Sequence, residues 1–359
     1  MTTPAFLDSL DEITKLDEKN ALGSIQQLGS QVQQIWEEAK KLQVDSSYRE
    51  VTNVVVAGMG GSSLGTHVIQ AVFKEELGVP VIIAPDYTVP NFVNEKTLVI
   101  ASSYSGTTEE TLAAVKDAKA KGAKIAGITS GGPLAEYLRE NNYPALVFDP
   151  VFNPCGVPRM ALGYSIFGQM ALLAQAGILK IEEHDYTAVM ETIAKAHLLY
   201  GVTVAQDQNP AKLLAFEMKE RMPVLTVAEH LEGVAHVFAN QINETSKNFS
   251  EYRVIPELNH HLMEGLQFPK VNPDYHLWLM VLSPLYNSSN TKRMKLTEQV
   301  LEKHEIEYRE FTATAPSKLT QAFELMTFGS YASFYLAMLN NLNPSPTPWV
   351  DWFKGELKK

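Results

Sequence analysis

The sequence has little cysteine, no long apolar run and fewer basic than acidic residues. Its one cysteine, Cys155, cannot form a disulfide within the chain, and such sparse use suits a reducing cytosol. The N-terminal stretch MTTPAFLDSLDEI lacks the apolar core of a signal peptide, and no run is long enough for a transmembrane helix. Thirty basic against 41 acidic residues give a formal charge of −11, which argues against a nucleic-acid partner. We therefore expect a cytoplasmic protein that binds neither membrane nor nucleic acid, although a small anion could still occupy a locally positive pocket.

Metal-ligand spacing is also missing from the sequence. His260 and His261 are adjacent, and no His-x-x-x-His or Cys-x-x-Cys pair occurs. We therefore predict no metal site and no cofactor.

Short apolar segments alternate with helical patterns in both halves of the 359 residues, a length that suits two domains. This alternation predicts parallel sheets flanked by helices, an α/β fold. We predict a first domain over 1–180 with a helical extension over 1–45, and a second over 181–359, because no strand appears between 178 and 210. The predicted strands are 53–57, 79–84, 97–101, 123–129, 145–148, 223–228, 276–282 and 307–312. The principal predicted helices are 5–43, 111–120, 231–247, 296–303 and 319–340, and 160–200 is predicted to be largely helical. A further helix is predicted to follow the glycine-rich stretch 58–65 and to end near residue 75.

A glycine-rich turn, Gly58-Met-Gly-Gly-Ser-Ser63, follows the first predicted strand. It partly matches the dinucleotide-binding fingerprint, since Asp86 lies near the position of the expected acidic residue, but Ser63 stands where the third glycine belongs. A dehydrogenase and a tight turn without a ligand therefore remain open interpretations of this turn alone.

A second turn, SSYSGTTEET over 102–111, is rich in hydroxyl groups and precedes a helix. Capping that helix requires one hydroxyl, so the others can donate to an anion at the positive helix start. Both turns follow strands, and ligands of parallel sheets bind beyond the carboxyl ends of the strands. We therefore predict a phosphate monoester bound by Gly60, Gly61, Ser62, Ser103, Ser105 and Thr108.

Several motifs occur in order along the chain and carry a family resemblance. Besides the two turns, they are DYTVP (86–90), GVPRMALG (156–163), NQINETSK (240–247), PELNHH (256–261) and PTPWVDWFK (346–354). Together they resemble the bifunctional phosphoglucose/phosphomannose isomerases, a branch of the phosphoglucose isomerase superfamily built from sugar isomerase (SIS) domains. Residues 1–50 and 178–210 carry no motif of this kind. The resemblance implies two SIS domains and a metal-free interconversion of glucose and mannose 6-phosphates with fructose 6-phosphate through an enediolate.

The resemblance also implies roles for individual residues. Glu244 would be the base, at the edge of the buried stripe of its predicted helix. His260, or the adjacent His261, would open the sugar ring from the neighbouring subunit of a homodimer. Arg159 would stabilise the enediolate, Lys354 would lie beside the ring oxygen, docked by Trp352 and Phe353, and Thr347 would face the same pocket. Two alternatives remain: an isomerase for another phosphosugar, such as an amino sugar, and a non-catalytic phosphosugar-binding protein.

Overall fold

The chain folds around two separate parallel sheets. The computed structural model describes residues 6–357 and 359. The first sheet has the strand order β2-β1-β3-β4-β5 and the second β7-β6-β8-β9. The strands are β1 Asn53–Gly58, β2 Val81–Ala84, β3 Thr97–Ser102, β4 Lys124–Thr129, β5 Ala145–Val147, β6 Met222–Ala228, β7 Glu251–Ile255, β8 His276–Leu282 and β9 Tyr308–Thr312. The predicted α/β class with two helix-flanked sheets is confirmed, whereas the division at residue 180 stays a prediction.

Helices connect the strands and cover the sheets. They are α1 Leu10–Leu16, α2 Ala21–Gln26, α3 Leu28–Ala39, α4 Gly61–Val72, α5 Glu109–Ala120, α6 Gly132–Glu140, α7 Leu162–Gln175, α8 Glu183–Tyr200, α9 Pro210–Met218, α10 Glu232–Gln241, α11 Asn272–Tyr275, α12 Ser288–Lys303, α13 Lys318–Leu339 and α14 Pro348–Glu356. None of the helices in the described part of the chain combines the length and the apolar character needed to cross a bilayer.

The first sheet is buried on both faces, which explains its apolar strands. Val54 and Val56 of β1 belong to the large core that continues into the second half, whereas Val55 and Ala57 belong to a smaller core on the opposite face. Successive side chains of a strand point to opposite faces, so a strand covered on both sides needs apolar residues throughout.

The two sheets share one strand order over their first four strands. In each, the chain adds a strand on one side of the first and then crosses to its other side, between β1 and β3 or between β6 and β8. Parallel pairing aligns the carboxyl ends of these neighbours, as between Gly58 and Ser102. Such a switch point leaves a crevice where ligands of open α/β sheets bind.

The two halves contact each other closely along α4 and α10. A Cβ added to Gly233, at the start of α10, would lie 2.2 Å from the backbone oxygen of His67 in α4. Helix α13, buried along most of its length, packs against α8, α9 and α10. Glycine at 233 therefore allows the helices to approach backbone to backbone.

The structure corrects two predicted helices. The helix expected over 5–43 is three helices, with breaks after Leu16 and after Gln26. At the first break Asp17 accepts hydrogen bonds from the N–H groups of Ala21 and Leu22 at 2.7 and 2.8 Å, and Asn20 caps α2 by accepting from the Gly23 N–H at 2.9 Å. The first five residues of the predicted helical extension lie outside the described residues. The helix predicted over 231–247 ends at Gln241 and continues as a π-helical turn, Ile242–Ser246.

Strand β7 was missed by the sequence analysis. It carries Glu251 and Arg253, which pair with each other at 2.6 Å, and it forms an edge of the second sheet. An edge strand tolerates charged side chains that an interior strand excludes, so its pattern lacks the continuous apolar run of its neighbours.

Candidate active site

The glycine-rich turn after β1 and the hydroxyl-rich turn after β3 lie against each other at the switch point of the first sheet. The Ser62 hydroxyl accepts a hydrogen bond from the Tyr104 backbone N–H at 2.9 Å, and the Ser102 hydroxyl donates to the Ser62 carbonyl at 2.7 Å. The predicted adjacency of the turns is therefore present. It follows from the pairing of β1 with β3, which brings their carboxyl ends together.

The turn after β3 keeps several hydroxyls at the start of α5. Ser103 Oγ lies 2.8 Å from Thr108 Oγ1, and Ser105 Oγ lies 2.9 Å from Thr107 Oγ1. Thr108 precedes α5 but makes no side-chain cap, so it does not occupy the N–H groups of the first helical turn. Ser105 is exposed, whereas Ser103 is buried and also accepts from the Gly106 N–H at 3.1 Å.

Glycine is required at position 106 of this turn. Gly106 has a φ of +66°, and a Cβ there would lie 1.8 Å from the carbonyl oxygen of Gly131. Any side chain at this position would push the turn away from the segment that follows β4. The close contact between the two segments therefore fixes the hydroxyls relative to α5.

The glycine-rich turn after β1 lies next to Arg159. Gly60 has a φ of +51° with open space around it, and Gly61 begins α4. A Cβ on Gly61 would lie 3.1 Å from the Pro158 carbonyl carbon and 3.2 Å from the Arg159 nitrogen. The backbone of this turn is thus adjacent to the 3-10 turn Pro158–Met160.

Arg159 is buried and uses its whole guanidinium group. It is 2% exposed. Its Nε donates to Thr245 Oγ1 at 3.1 Å and NH1 to Glu244 Oε2 at 3.3 Å, while NH2 donates to the carbonyls of Pro344 and Ser345 at 2.6 and 2.9 Å. Burial lowers the pKa of Arg159, and the carboxylate of Glu244 opposes this effect. A guanidinium nevertheless stays charged, so Arg159 places a fixed positive charge beside Glu244.

Glu244 lies in the π-helical turn at the end of α10. Its side chain is 37% exposed, so the carboxylate contacts Arg159 while remaining open to solvent on another side. The amide of Asn243 holds the turn, donating to the carbonyls of Ala239 and Ser250 at 2.9 and 2.8 Å. Single π turns within helices often occur at functional sites, and this one orients Glu244 towards Arg159.

The ammonium of Lys247, the residue after the turn that carries Glu244, binds backbone carbonyls. It donates to the carbonyls of Thr245 at 3.1 Å, Asn343 at 3.1 Å and Pro344 at 3.2 Å. Burial of the ammonium, together with the nearby charge of Arg159, lowers the pKa of Lys247 to about 8. Arg159 and Lys247 together therefore fix the segment 343–345, a role that no local sequence signal could have revealed.

Thr347 and Lys354 follow this fixed segment. Thr347 is half-buried and precedes α14, which carries Lys354 on an exposed surface. Trp352 and Phe353, expected to dock the segment, are 59% and 57% exposed, so that expectation is wrong for the single chain. The chain therefore brings Arg159 and Glu244 together but does not bring Lys354 to them.

The two candidate ring-opening histidines follow β7 and make no hydrogen bond or ion pair with Arg159 or Glu244 in the described part of the chain. His260 and His261 are exposed at the end of the 3-10 turn that follows β7. His261 pairs with Glu257 at 2.8 Å, and within residues 6–357 and 359 His260 has no hydrogen bond or ion pair. The expected contribution of His260 from a neighbouring subunit stays a prediction.

In the same described residues, no group of three or more His, Cys, Asp or Glu side chains could hold a metal ion. The absence of a metal and of a cofactor from the reaction stays a prediction.

Comparison with known proteins agrees with this geometry. Residues 47–143 match the family model of the SIS domain, and residues 207–357 match that of the bacterial phospho-glucose isomerase C-terminal SIS domain. A bifunctional phosphoglucose/phosphomannose isomerase of Caldicellulosiruptor bescii is 33% identical over 340 residues, covering 93% of this chain and 98% of the relative. One of Thermoplasma volcanium is 28% identical over 88% of this chain and 96% of the relative.

A solved structure supports the fold alone. A hypothetical protein of Thermus thermophilus superposes with a TM-score of 0.71 at 19% identity, covering 95% of this chain and 90% of that chain. The near-complete coverage of the Caldicellulosiruptor bescii relative at 33% identity, together with both domain models, establishes that the chain belongs to the bifunctional phosphoglucose/phosphomannose isomerase family.

Proposed function

We propose that this chain interconverts glucose 6-phosphate and mannose 6-phosphate with fructose 6-phosphate by metal-free proton transfer. The family assignment supports the reaction class and hexose 6-phosphates as substrates. The observation that carries the proposal is the contact of Arg159 with Glu244 beside the turn at Gly61. These groups place a carboxylate, a fixed cation and the proposed phosphate-binding turn next to one another.

The phosphate anchor is formed by the two turns at the switch point. Ser62 accepts from Tyr104, which leaves its own O–H free to donate to a phosphate oxygen. We assign the same role to the hydroxyls of Ser103, Ser105 and Thr108, and to the backbone at Gly60 and Gly61. Binding energy from this remote group holds the sugar in register with the base.

Glu244 is proposed to carry the proton between C2 and C1. Its carboxylate takes the C2 proton of the open-chain aldose, and the electron pair of that bond forms the enediolate as the C1 carbonyl oxygen takes up the negative charge. The hydroxyl proton then moves from O2 to O1, and Glu244 delivers a proton, partly exchanged with solvent, to C1 to give the ketose. No external oxidant or reductant is needed. Arg159 stabilises the developing negative charge, because a positive group beside an oxyanion acts strongly in a partly buried site.

His260 is proposed to act on the ring oxygen from a neighbouring subunit, so the active form would be a homodimer. Two features support this: His260 is exposed, and within the described residues it makes no hydrogen bond or ion pair with Glu244. Lys354 is proposed to approach the ring oxygen, and Thr347 to line the pocket near C2 and C3. Sparse cysteine use supports a cytoplasmic location.

The deciding experiment is incubation of the purified protein with fructose 6-phosphate in D₂O. Formation of glucose and mannose 6-phosphates carrying solvent deuterium at C2 would establish the proton-transfer reaction and both products. A protein that binds fructose 6-phosphate without forming either product would be a phosphosugar-binding protein, and the proposal would fail.

A further inference from the structure

A second pocket lies beyond the carboxyl ends of the second sheet. It encloses about 550 Å³ and is bounded by Glu229 after β6, Ile255 at the end of β7 and Asn287 after β8. Helix α4 of the first half closes another side with His67 and Gln70. The volume lies in the range of small-molecule sites, and the position is the switch point of this sheet.

Neutral rings form one wall of this pocket. The rings of His67 and His236 are 4.5 Å apart in an edge-to-face arrangement, and His236 stacks on Tyr252 at 5.0 Å. Burial, helped by the neighbouring His236, lowers the pKa of His67 to about 4, and burial also lowers the pKa of His236. Both imidazoles are therefore uncharged near neutral pH, and each can donate and accept a hydrogen bond.

His230 borders the same pocket, and one of its ring nitrogens is an unpaired acceptor among the described residues. It is 2% exposed, and its Nε2 lies 2.8 Å from Gln321 Oε1. The Gln321 amide nitrogen donates to the Ala315 carbonyl at 3.0 Å, so its oxygen must accept from His230 and Nδ1 must carry the lone pair. That Nδ1 has no partner within residues 6–357 and 359. A buried acceptor without a partner costs free energy, which a donor from a ligand would recover.

Two lysines supply positive charge at the rim. Lys74 follows α4 and is exposed without an ion pair in the described residues, whereas Lys318 begins α13 and pairs with Glu75 at 2.8 Å. Of the acidic groups on the pocket wall, Glu232 is exposed at the start of α10.

The remaining carboxylate, Glu229, is already satisfied by hydrogen bonds. It accepts from the backbone and side chain of Asn287 at 2.9 and 2.7 Å and from the Asn290 amide at 2.8 Å. Glu229 therefore pairs with neither lysine, so Lys74 is available to an incoming anion and Lys318 would exchange its partner Glu75 for that anion.

We propose that this pocket binds a small polyhydroxylated anion, a sugar phosphate in chemical class, separately from the isomerase site. Hydroxyl groups of the ligand pair with the neutral imidazoles and with Nδ1 of His230, and its phosphate binds Lys74 and Lys318. Gly61 of the isomerase site and Gln70 of this pocket stand nine residues apart on α4, about 14 Å along the helix.

The test follows histidine side-chain resonances while 6-phosphogluconate is titrated into the full chain. The signals of His67 and His236 are identified with His67→Gln and His236→Gln variants. We expect both signals to shift, and the concentration at half-shift to rise at least tenfold in a Lys74→Ala/Lys318→Ala variant. The matched Lys41→Ala/Lys303→Ala variant, which removes two exposed lysines elsewhere, should behave as wild type.

Two comparisons decide between the pocket and the isomerase site. The inhibition constant of 6-phosphogluconate against fructose 6-phosphate should be unchanged in Lys74→Ala/Lys318→Ala, whose retained activity also shows that it is folded. Histidine shifts that disappear in Ser105→Ala but persist in the lysine variant would overturn the proposal, as would the absence of any shift.

The ligand class has its own test. Gluconate lacks the phosphate, and inorganic phosphate lacks the hydroxyl chain, so each should bind the pocket at least tenfold more weakly than 6-phosphogluconate. Equal binding of either compound would show that the pocket does not recognise both parts, and the proposal would fail.

Discussion

The guanidinium of Arg159 lies 3.3 Å from the carboxylate of Glu244, although 85 residues separate them in sequence. The same guanidinium holds the carbonyls of Pro344 and Ser345. One buried side chain therefore joins the turn at Gly61, the end of α10 and the segment before α14.

We expect Glu244→Gln to lower kcat by about 10²–10⁴-fold, because the amide cannot accept the C2 proton. The amide oxygen can still accept from Arg159, so the inhibition constant of inorganic phosphate should change little. The control is Glu257→Gln, which removes the exposed partner of His261. Steady-state kinetics of both variants decides the assignment. If kcat is normal in Glu244→Gln but lost in Glu257→Gln, Glu257 is the base.

Ser105→Ala should weaken inhibition by 6-phosphogluconate and by inorganic phosphate by about 1–3 kcal/mol, the value of one lost charge-assisted hydrogen bond. The exposed hydroxyl lies in the turn that precedes α5 and can reach an anion there. Ser9→Ala serves as the matched control, because Ser9 only caps α1 by accepting from the Glu12 N–H. Inhibition constants that are unchanged in Ser105→Ala would leave Ser105 with a purely local role in its turn.

Thr347 is expected to set the balance between the two aldoses. Conversion between glucose and mannose phosphates requires the enediolate to present both faces, by rotation about C2–C3, and a short side chain leaves room for this. We predict mannose 6-phosphate turnover within about tenfold of glucose 6-phosphate, a barrier difference below about 1.4 kcal/mol.

Thr347→Gln should depress the mannose reaction much more than the glucose reaction. Parallel assays with both substrates measure the ratio of the two rates. An equal loss of both activities would mean that Thr347 only supports the start of α14.

Metal removal should leave the activity intact. Dialysis against EDTA and assay in excess chelator is the measurement, with untreated enzyme as the reference. Loss of activity that zinc restores would contradict the metal-free mechanism.

Burial of His197 is expected to lower the free energy of unfolding in acid. Burial lowers the pKa of His197 to about 4, from 6.5 for the free side chain. Between these pH values the unfolded chain binds a proton that the folded chain does not, so the free energy of unfolding falls as pH falls from 6.5 to 4.

His197→Gln should therefore reduce this loss of stability by about 1–2 kcal/mol, a figure discounted for the partial exposure of the ring. Urea unfolding at pH 7, 5.5 and 4.5 measures it. His184→Gln, which removes a surface histidine that is 73% exposed, is the control. A pH dependence identical in wild type and His197→Gln would contradict the prediction.

The sequence predicted the inner strands β1, β3, β4, β6 and β8 well because they are buried on both faces and read as apolar runs. Strand β8 was predicted with its observed ends, His276–Leu282. Edge strand β7 was missed because an edge accommodates charge, and the helices of the N-terminal extension were fused because their caps were overlooked.

Adjacency of the two hydroxyl-rich turns was predictable, since it follows from strand order. The contacts of Arg159 and Lys247 with the segment 343–345 were not, because they depend on long-range packing that leaves no local pattern. In the proposed homodimer, the placement of His260 depends on contacts between subunits, which leave no pattern in the sequence of one chain.

The close approach of Gly233 to the backbone of His67 limits how such proteins can diversify. The two sheets share a strand order, which suggests interchangeable modules, yet α4 and α10 meet where no side chain fits. A hybrid of two relatives would keep this fit only if its α10 carries glycine at the position of Gly233. That one position therefore limits which halves can be combined across the junction.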